Sequence, residues 1–161
     1  MSWAGKISGL FERLRSLLPA RKQAPSFSMP SSGNDSSTHP DSNEGKDRIA
    51  AAVSRWEKDR RYLMPENDSS RCAEQMGISS QDLYRYCLDV FGMDFRSWRT
   101  SLRITEAKRL LLEYPDESLS NIGRRVGIND RSNFARLFKQ VTGVSPSDWR
   151  RKHQPSKKPS T

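Results

Sequence analysis

The chain has 161 residues, 34% of them hydrophobic, and its 28 Lys and Arg against 19 Asp and Glu give a formal net charge of +9. The length allows one domain with or without a tail. The longest apolar run, residues 49–53, is too short for a transmembrane helix, no apolar signal-peptide core opens the chain, and two cysteines, Cys72 and Cys87, cannot build a disulfide framework or a zinc site. The expected setting is cytoplasmic, and the basic excess points to a polyanionic partner, either nucleic acid or an anionic membrane surface.

Residues 1–45 read as a tail. Trp3, Ile7, Leu10, Phe11, Leu14, Leu17 and Leu18 recur at helical spacing among Lys6, Arg13 and Arg15, so a short basic amphipathic helix ends before Pro19. Residues 3–18 could touch a membrane surface or a protein weakly, or form a marginal helix that docks or frays. Residues 29–45 are almost all Ser, Asn, Asp, Pro and Gly; they bury too little apolar surface to offset their ordering entropy, and a disordered linker is expected.

Residues 46–152 should be helical throughout. Ile49, Val53 and Trp56 form one apolar stripe, and Pro65 closes the connection after it. A helix from about residue 69 ends at Gly77, and Ser79 with Asp82 makes a capping box for the next, which runs to Gly92. A long helix spans residues 94–114 and stops at Pro115. Ser118 caps a short helix ending at Gly127, Asn129 caps another ending near Gly143, and Ser145-Pro146-Ser147-Asp148 starts a last one. No strand alternation interrupts these marks. Residues 153–161 form a basic, Pro-containing tail with disorder expected.

The helical region repeats itself. At an offset of 50, Ser70, Gly77 and Ile78 match Ser120, Gly127 and Ile128; at 51, Arg85, Val90, Gly92, Trp98 and Arg99 match Arg136, Val141, Gly143, Trp149 and Arg150. One extra residue therefore lies between Ile128 and Phe134. Each unit is two short helices joined by a Gly-containing turn, with a polar cap before the second, which is the helix-turn-helix pattern. Cys72, Met76, Leu83, Cys87, Ile122, Val126, Phe134 and Phe138 should line the inner faces, with Trp98 and Trp149 beneath. The cysteines match apolar residues of the other repeat and read as core.

The run Trp98-x3-Leu102-Arg103-Ile104-x2-Ala107-x2-Leu110-Leu111, followed by Ser118-x3-Ile122-x3-Val126-Gly127-Ile128-x5-Phe134-x-Arg136-x-Phe138-Lys139-x3-Gly143-x-Ser145-Pro146-x2-Trp149-Arg150, resembles the AraC-type DNA-binding domain. The resemblance covers about residues 49–152. It departs from the family pattern at Gly123, where Ala is typical, and at Ile128, where an aromatic is usual. No small-molecule sensor domain is visible. The resemblance implies an all-α, seven-helix bundle of two helix-turn-helix subdomains, at about 66–93 and 118–143, joined by a long central helix. Its implied function is bacterial transcription regulation by sequence-specific binding of double-stranded DNA, with RNA polymerase as a second partner. It places base contacts at Gln81, Tyr84 and Arg85, and at Arg131, Ser132, Asn133, Ala135 and Arg136, and treats Arg103 as structural.

The side-chain chemistry agrees for most of these: Arg suits a guanine edge, and Gln or Asn suits adenine. Arg124, Arg125, Lys139, Arg150 and Arg151 are the phosphate candidates. A central helix of about 21 residues would be roughly 31 Å long, close to the roughly 34 Å of one DNA turn. A monomer could then read two successive major grooves at an asymmetric target. No cofactor or metal is expected, and no catalytic constellation exists: His39 and His153 both lie in segments read as disordered. The competing reading is a membrane-surface or protein-interaction adaptor built on the N-terminal segment. The chain could also be the C-terminal part of a longer sensor–regulator.

Overall fold

Among the described residues, six of the seven helices begin at a short polar side chain that accepts a hydrogen bond from a backbone N–H three residues on. The pairs are Asp68 with Arg71, Ser79 with Asp82, Asp94 with Ser97, Ser118 with Asn121, Asp130 with Asn133, and Ser145 with Asp148. Each bond satisfies one of the N–H groups that an α-helix leaves unpaired at its start. The computed structural model describes residues 43–65 and 68–153. Among them the helices are α1 (Asn43–Lys58), α2 (Ser69–Met76), α3 (Ser80–Tyr86), α4 (Phe95–Glu113), α5 (Leu119–Arg125), α6 (Arg131–Thr142) and α7 (Pro146–His153), with no strand. A 3-10 turn, Arg61–Leu63, connects α1 to α2, and a π-helical turn, Cys87–Phe91, prolongs α3.

The sequence-based boundaries shift in four places. Helix α1 starts at Asn43, inside the segment expected to be linker; Glu44 in its first turn complements the positive end of the helix dipole. The last helix takes in His153, expected in the disordered tail, because its ring stacks 4.1 Å from that of Trp149 and its Nδ1 meets the Trp149 carbonyl at 2.8 Å. The cap of α6 is Asp130 and not Asn129. The central helix is two residues shorter than 94–114, since Asp94 and Tyr114 are its caps. The amphipathic segment 3–18, the linker up to residue 42 and the tail from residue 154 lie outside the described residues.

The chain divides into two compact units, Met1–Arg48 and Ile49–Thr161; of the first, only the opening of α1 is described. The second unit holds two cores on one helix. Phe95 and Trp98, from the first turns of α4, join an aromatic cluster: Trp98 stacks on Phe91 at 4.6 Å, and Trp56 lies 5.5 Å from Phe95 and 5.9 Å from Trp98. Cys72, Leu83 and Cys87 are buried in this half of the molecule. Further along α4, Ile104, Ala107, Leu110 and Leu111 pack with Ile122, Val126, Ile128, Phe134, Phe138 and Trp149 in the other core. The inner-face residues expected from the repeat are buried, Met76 only partly.

The 3-10 connection ties the cores together. The Tyr62 ring lies 6.4 Å from Trp56, while Leu63 packs against the second core. Two arginines of α4 hold the intervening backbone. Arg103 donates from Nε to the Tyr62 carbonyl and from Nη2 to the Met64 carbonyl, both at 2.6 Å. Arg99 donates to the same two carbonyls, with Nε 3.2 Å from that of Tyr62. Burial, and then the like charge of Arg99, lower the Arg103 guanidinium to about 10, so it stays charged at neutral pH. Charged donors make strong bonds to backbone carbonyls, and Arg103 has the structural role that the resemblance implies.

Candidate nucleic-acid interface

The two helix pairs are built alike up to the turn. Helix α2 ends at Gly77, with φ of 69°, and Ile78 N–H returns to the Ala73 carbonyl at 3.1 Å. In the second pair Gly127 has φ of 75°, and Ile128 N–H returns to the Gly123 carbonyl at 2.8 Å. These are the bonds that close a helix through a left-handed residue. In the first unit the cap Ser79 follows Ile78 directly; in the second, Asn129 intervenes before the cap Asp130. The extra residue detected in the repeat therefore sits in the turn and leaves both second helices intact.

Helices α3 and α6 each bury one face and expose the other. In α3, Leu83 is buried, and Gln81, Tyr84 and Arg85 are exposed. In α6, Phe134 and Phe138 are buried; Arg131, Ser132 and Arg136 are exposed, and Asn133 and Ala135 are half-buried beside them. The structure thus brings the expected base-contact residues onto the outer faces of the two second helices.

The matched positions of the two helices differ in their local bonding. Asp82 turns back to the cap, accepting a hydrogen bond from Ser79 Oγ at 2.7 Å. Its counterpart Asn133 turns forward: Arg136 Nη2 donates to Asn133 Oδ1 at 2.7 Å. Arg85, Arg131 and Lys139 have no hydrogen-bond or ion-pair partner among the described residues, and their charges face solvent.

The other phosphate candidates are engaged locally. Arg125 pairs with Glu117 at 2.7 Å and lies 4.3 Å from the Tyr114 ring centre. Its pKa is raised by the hydrogen bonds to Tyr114 and Glu117. Arg124 donates to Asn121, and Arg151 pairs with Asp148 at 2.7 Å. Arg150 is half-buried and donates to the Glu117 carbonyl at 2.7 Å, bracing the start of α5 against α7. Exposed pairs of this kind exchange readily because each contributes little, whereas the Arg150 bond is part of the packing. The arginine type marked Arg150 as a cation in the sequence, but nothing there marked its inward direction.

Gly123 and Gly127 set how closely the second unit approaches its neighbours. A Cβ on Gly123 would lie 2.9 Å from the Ile128 carbonyl oxygen and 3.2 Å from the Phe134 ring, so the tight turn accounts for glycine where the family usually carries Ala. A Cβ on Gly127 would lie 2.2 Å from the Leu63 carbonyl oxygen and 2.9 Å from Arg103 Nη2. The turn of the second unit thus presses on the connection held by the α4 arginines, a packing constraint that the repeat alone did not reveal.

A family model described as a helix-turn-helix domain matches residues 72–152. Over 83 residues the chain is 36% identical to the arabinose operon regulatory protein of Escherichia coli strain K12, a match covering 52% of this chain and 28% of that protein. The chain thus spans less than a third of the length of that curated relative. Among solved structures it is similar to the C-terminal domain of AraT, a response regulator from Geobacillus stearothermophilus, with a TM-score of 0.61 and 26% identity, covering 70% of this chain and 91% of that one. It shares its fold with the DNA-binding domain of AdpA, a global transcriptional factor solved in complex with a target DNA, with a TM-score of 0.57 and 22% identity, covering 66% of this chain and 92% of that one. With the family match spanning half of its residues, this chain belongs to the AraC-type helix-turn-helix family.

Proposed function

We propose that this chain is a sequence-specific DNA-binding transcriptional regulator whose helices α3 and α6 enter two successive major grooves of one duplex. The observation that carries this reading is the pair of outward helix faces, each preceded by a glycine turn and a capped start, with the π-helical turn after α3 and the inner face of α6 packed on different parts of α4. Gln81, Tyr84 and Arg85 are the base-reading residues of α3; Arg131, Ser132, Asn133 and Arg136 are those of α6. Arg124, Arg125, Lys139 and Arg151 meet phosphates, the paired ones by exchanging their local partners, and Arg150 adds its charge from a half-buried position. Helix α4 has 19 residues and is about 28 Å long at 1.5 Å per residue, against roughly 34 Å per DNA turn. The two units follow one another by translation along the chain, so the target is asymmetric.

The likeness to the DNA-binding domain of AdpA supports the fold of this reading, and the exposed side chains supply its chemistry. The site of action is the cytoplasm, and RNA polymerase is a second partner; no helix among the described residues is long and apolar enough to cross a membrane. Any weak membrane or protein contact through residues 3–18 is an addition to this role. Selection of bound sites from a random duplex pool tests the proposal. The expected result is an asymmetric site with two information-rich blocks about one turn apart, bound less tightly as salt rises because phosphate contacts release counterions. Absence of enrichment overturns it.

A further inference from the structure

The two reading helices hold their matched arginines differently, and this difference bears on which bases they accept. In α3, Asp82 is bonded to Ser79, and Arg85 has no partner among the described residues. In α6, the cap Asp130 holds the backbone N–H of Asn133, and the Asn133 side chain accepts from Arg136 Nη2 at 2.7 Å. A guanidinium has donors only, so the carboxamide atom facing it must be the oxygen. The bond therefore fixes the direction of an amide that could otherwise turn either way.

That direction decides what the amide offers to DNA. Bidentate reading of adenine by Asn needs the carboxamide oxygen for the N6 amine and the nitrogen for N7. Here one lone pair of the oxygen is already used, and the cation beside the other repels the positive amine hydrogens of adenine. The Asn133 nitrogen keeps both N–H donors, and Arg136 keeps four of its five. We propose that Asn133 and Arg136 act as one donor-only reading unit, selecting adjacent major-groove acceptors: guanine O6 and N7 opposite Arg136, and a guanine or thymine edge opposite Asn133, with adenine disfavoured there.

Thymine O4 and guanine O6 and N7 are acceptors, whereas adenine presents an amine beside its N7. A buttressed arginine is also preordered, so less side-chain entropy is lost when it meets guanine. Arg85 lacks this support, so it meets its base without a paired amide beside it. Asn133 is therefore a specificity-determining residue whose preference is set by its neighbour.

The inference rests on the DNA-reading function proposed above, and one selection series separates the two. Bound sites are selected from a random duplex pool with the wild-type chain, Asn133→Ala and Arg136→Ala. The position whose preference flattens in Asn133→Ala is the one Asn133 reads. The wild type should favour guanine or thymine over adenine there by about 10-fold or more. Arg136→Ala should lose the neighbouring guanine and shift the Asn133 position towards adenine. Adenine at that position in the wild type, an unchanged preference in a binding Arg136→Ala variant, or no flattening in Asn133→Ala each overturns the donor-only unit while leaving DNA reading intact. If Arg136→Ala binds too weakly to select sites, the wild-type base at the Asn133 position decides. A wild-type chain that enriches no sequence overturns both readings.

Discussion

Gly77 and Gly127 occupy the same place in the two repeats and have nearly the same backbone, yet they carry different constraints. Nothing lies within 4 Å of a Cβ built on Gly77, while one built on Gly127 would overlap the Leu63 carbonyl oxygen. Gly77→Ala should therefore lose only the left-handed preference, about 1 kcal/mol, and Gly127→Ala about 2 kcal/mol or more. Urea denaturation of the two variants compares these losses directly; equal midpoints would refute the difference in packing. The cysteines give a second residue-scale prediction. Both are fully buried, and burial, followed by the charge of Asp94, pushes the Cys87 thiol up to about 12. A thiolate is the reactive form, so at pH 8 a thiol reagent should modify Cys72 and Cys87 only as the protein unfolds. Prompt labelling of the native chain would contradict the packing described.

At the level of the elements, α4 links the two helix-turn-helix units because its first turns belong to one core and the rest to the other. The connection before α2 adds a brace on its outer side, held by Arg99 and Arg103. Lower on α4, Glu106 pairs with Arg109 at 2.7 Å and also with Arg60, a residue with left-handed backbone at φ of 55°. Burial raises the Glu106 carboxyl, but the hydrogen bonds and charges of Arg109 and Arg60 outweigh it and hold the pKa below the ordinary Glu value of 4.5. A carboxyl depressed in the folded state binds fewer protons there than in the unfolded chain. Its contribution is present above pH 4.5 and fades as pH falls through the folded value. Glu106→Gln should lower stability at neutral pH and flatten the acid side of the stability profile. Thermal unfolding of both proteins between pH 3 and 7 tests this, and parallel profiles would count against the pairing.

Across the whole molecule the charge is uneven. Residues 66–93 carry two basic residues against five acidic, residues 94–117 carry five of each, and residues 118–161 carry ten basic against two acidic. The second unit should therefore supply most of the phosphate attraction, with the first adding weaker and more sequence-dependent contacts. On the proposed function, Arg136→Ala should weaken binding to a selected site by about 1–3 kcal/mol, and Arg85→Ala by less. Titration of one duplex with both variants at fixed salt measures the ratio; a larger loss for Arg85→Ala would reverse the assignment of the dominant unit.

Much of this was legible in the residues themselves. Most of the helix starts, the left-handed glycines, the buried faces and the repeat follow from caps, turn residues and apolar spacing, which act within a few residues and leave a local pattern. The extra residue of the second unit was visible as a change of offset from 50 to 51, though only the structure located it in the turn beside Asn129. What the tertiary structure decided involves groups far apart in sequence or side-chain directions that no spacing encodes. Arg103 and the Tyr62 carbonyl are 41 residues apart, and Gly127 owes its tightest contact to Leu63. Arg150 turns inward to the Glu117 carbonyl, and Asn133 turns towards Arg136 where Asp82 turns back to Ser79. Which helices form and which faces they bury is written in the residue order, because propensity and periodicity are local. How the two helix-turn-helix units are braced, and which outward groups are already paired, depends on the folded chain, because those contacts exist once distant residues share one packed space.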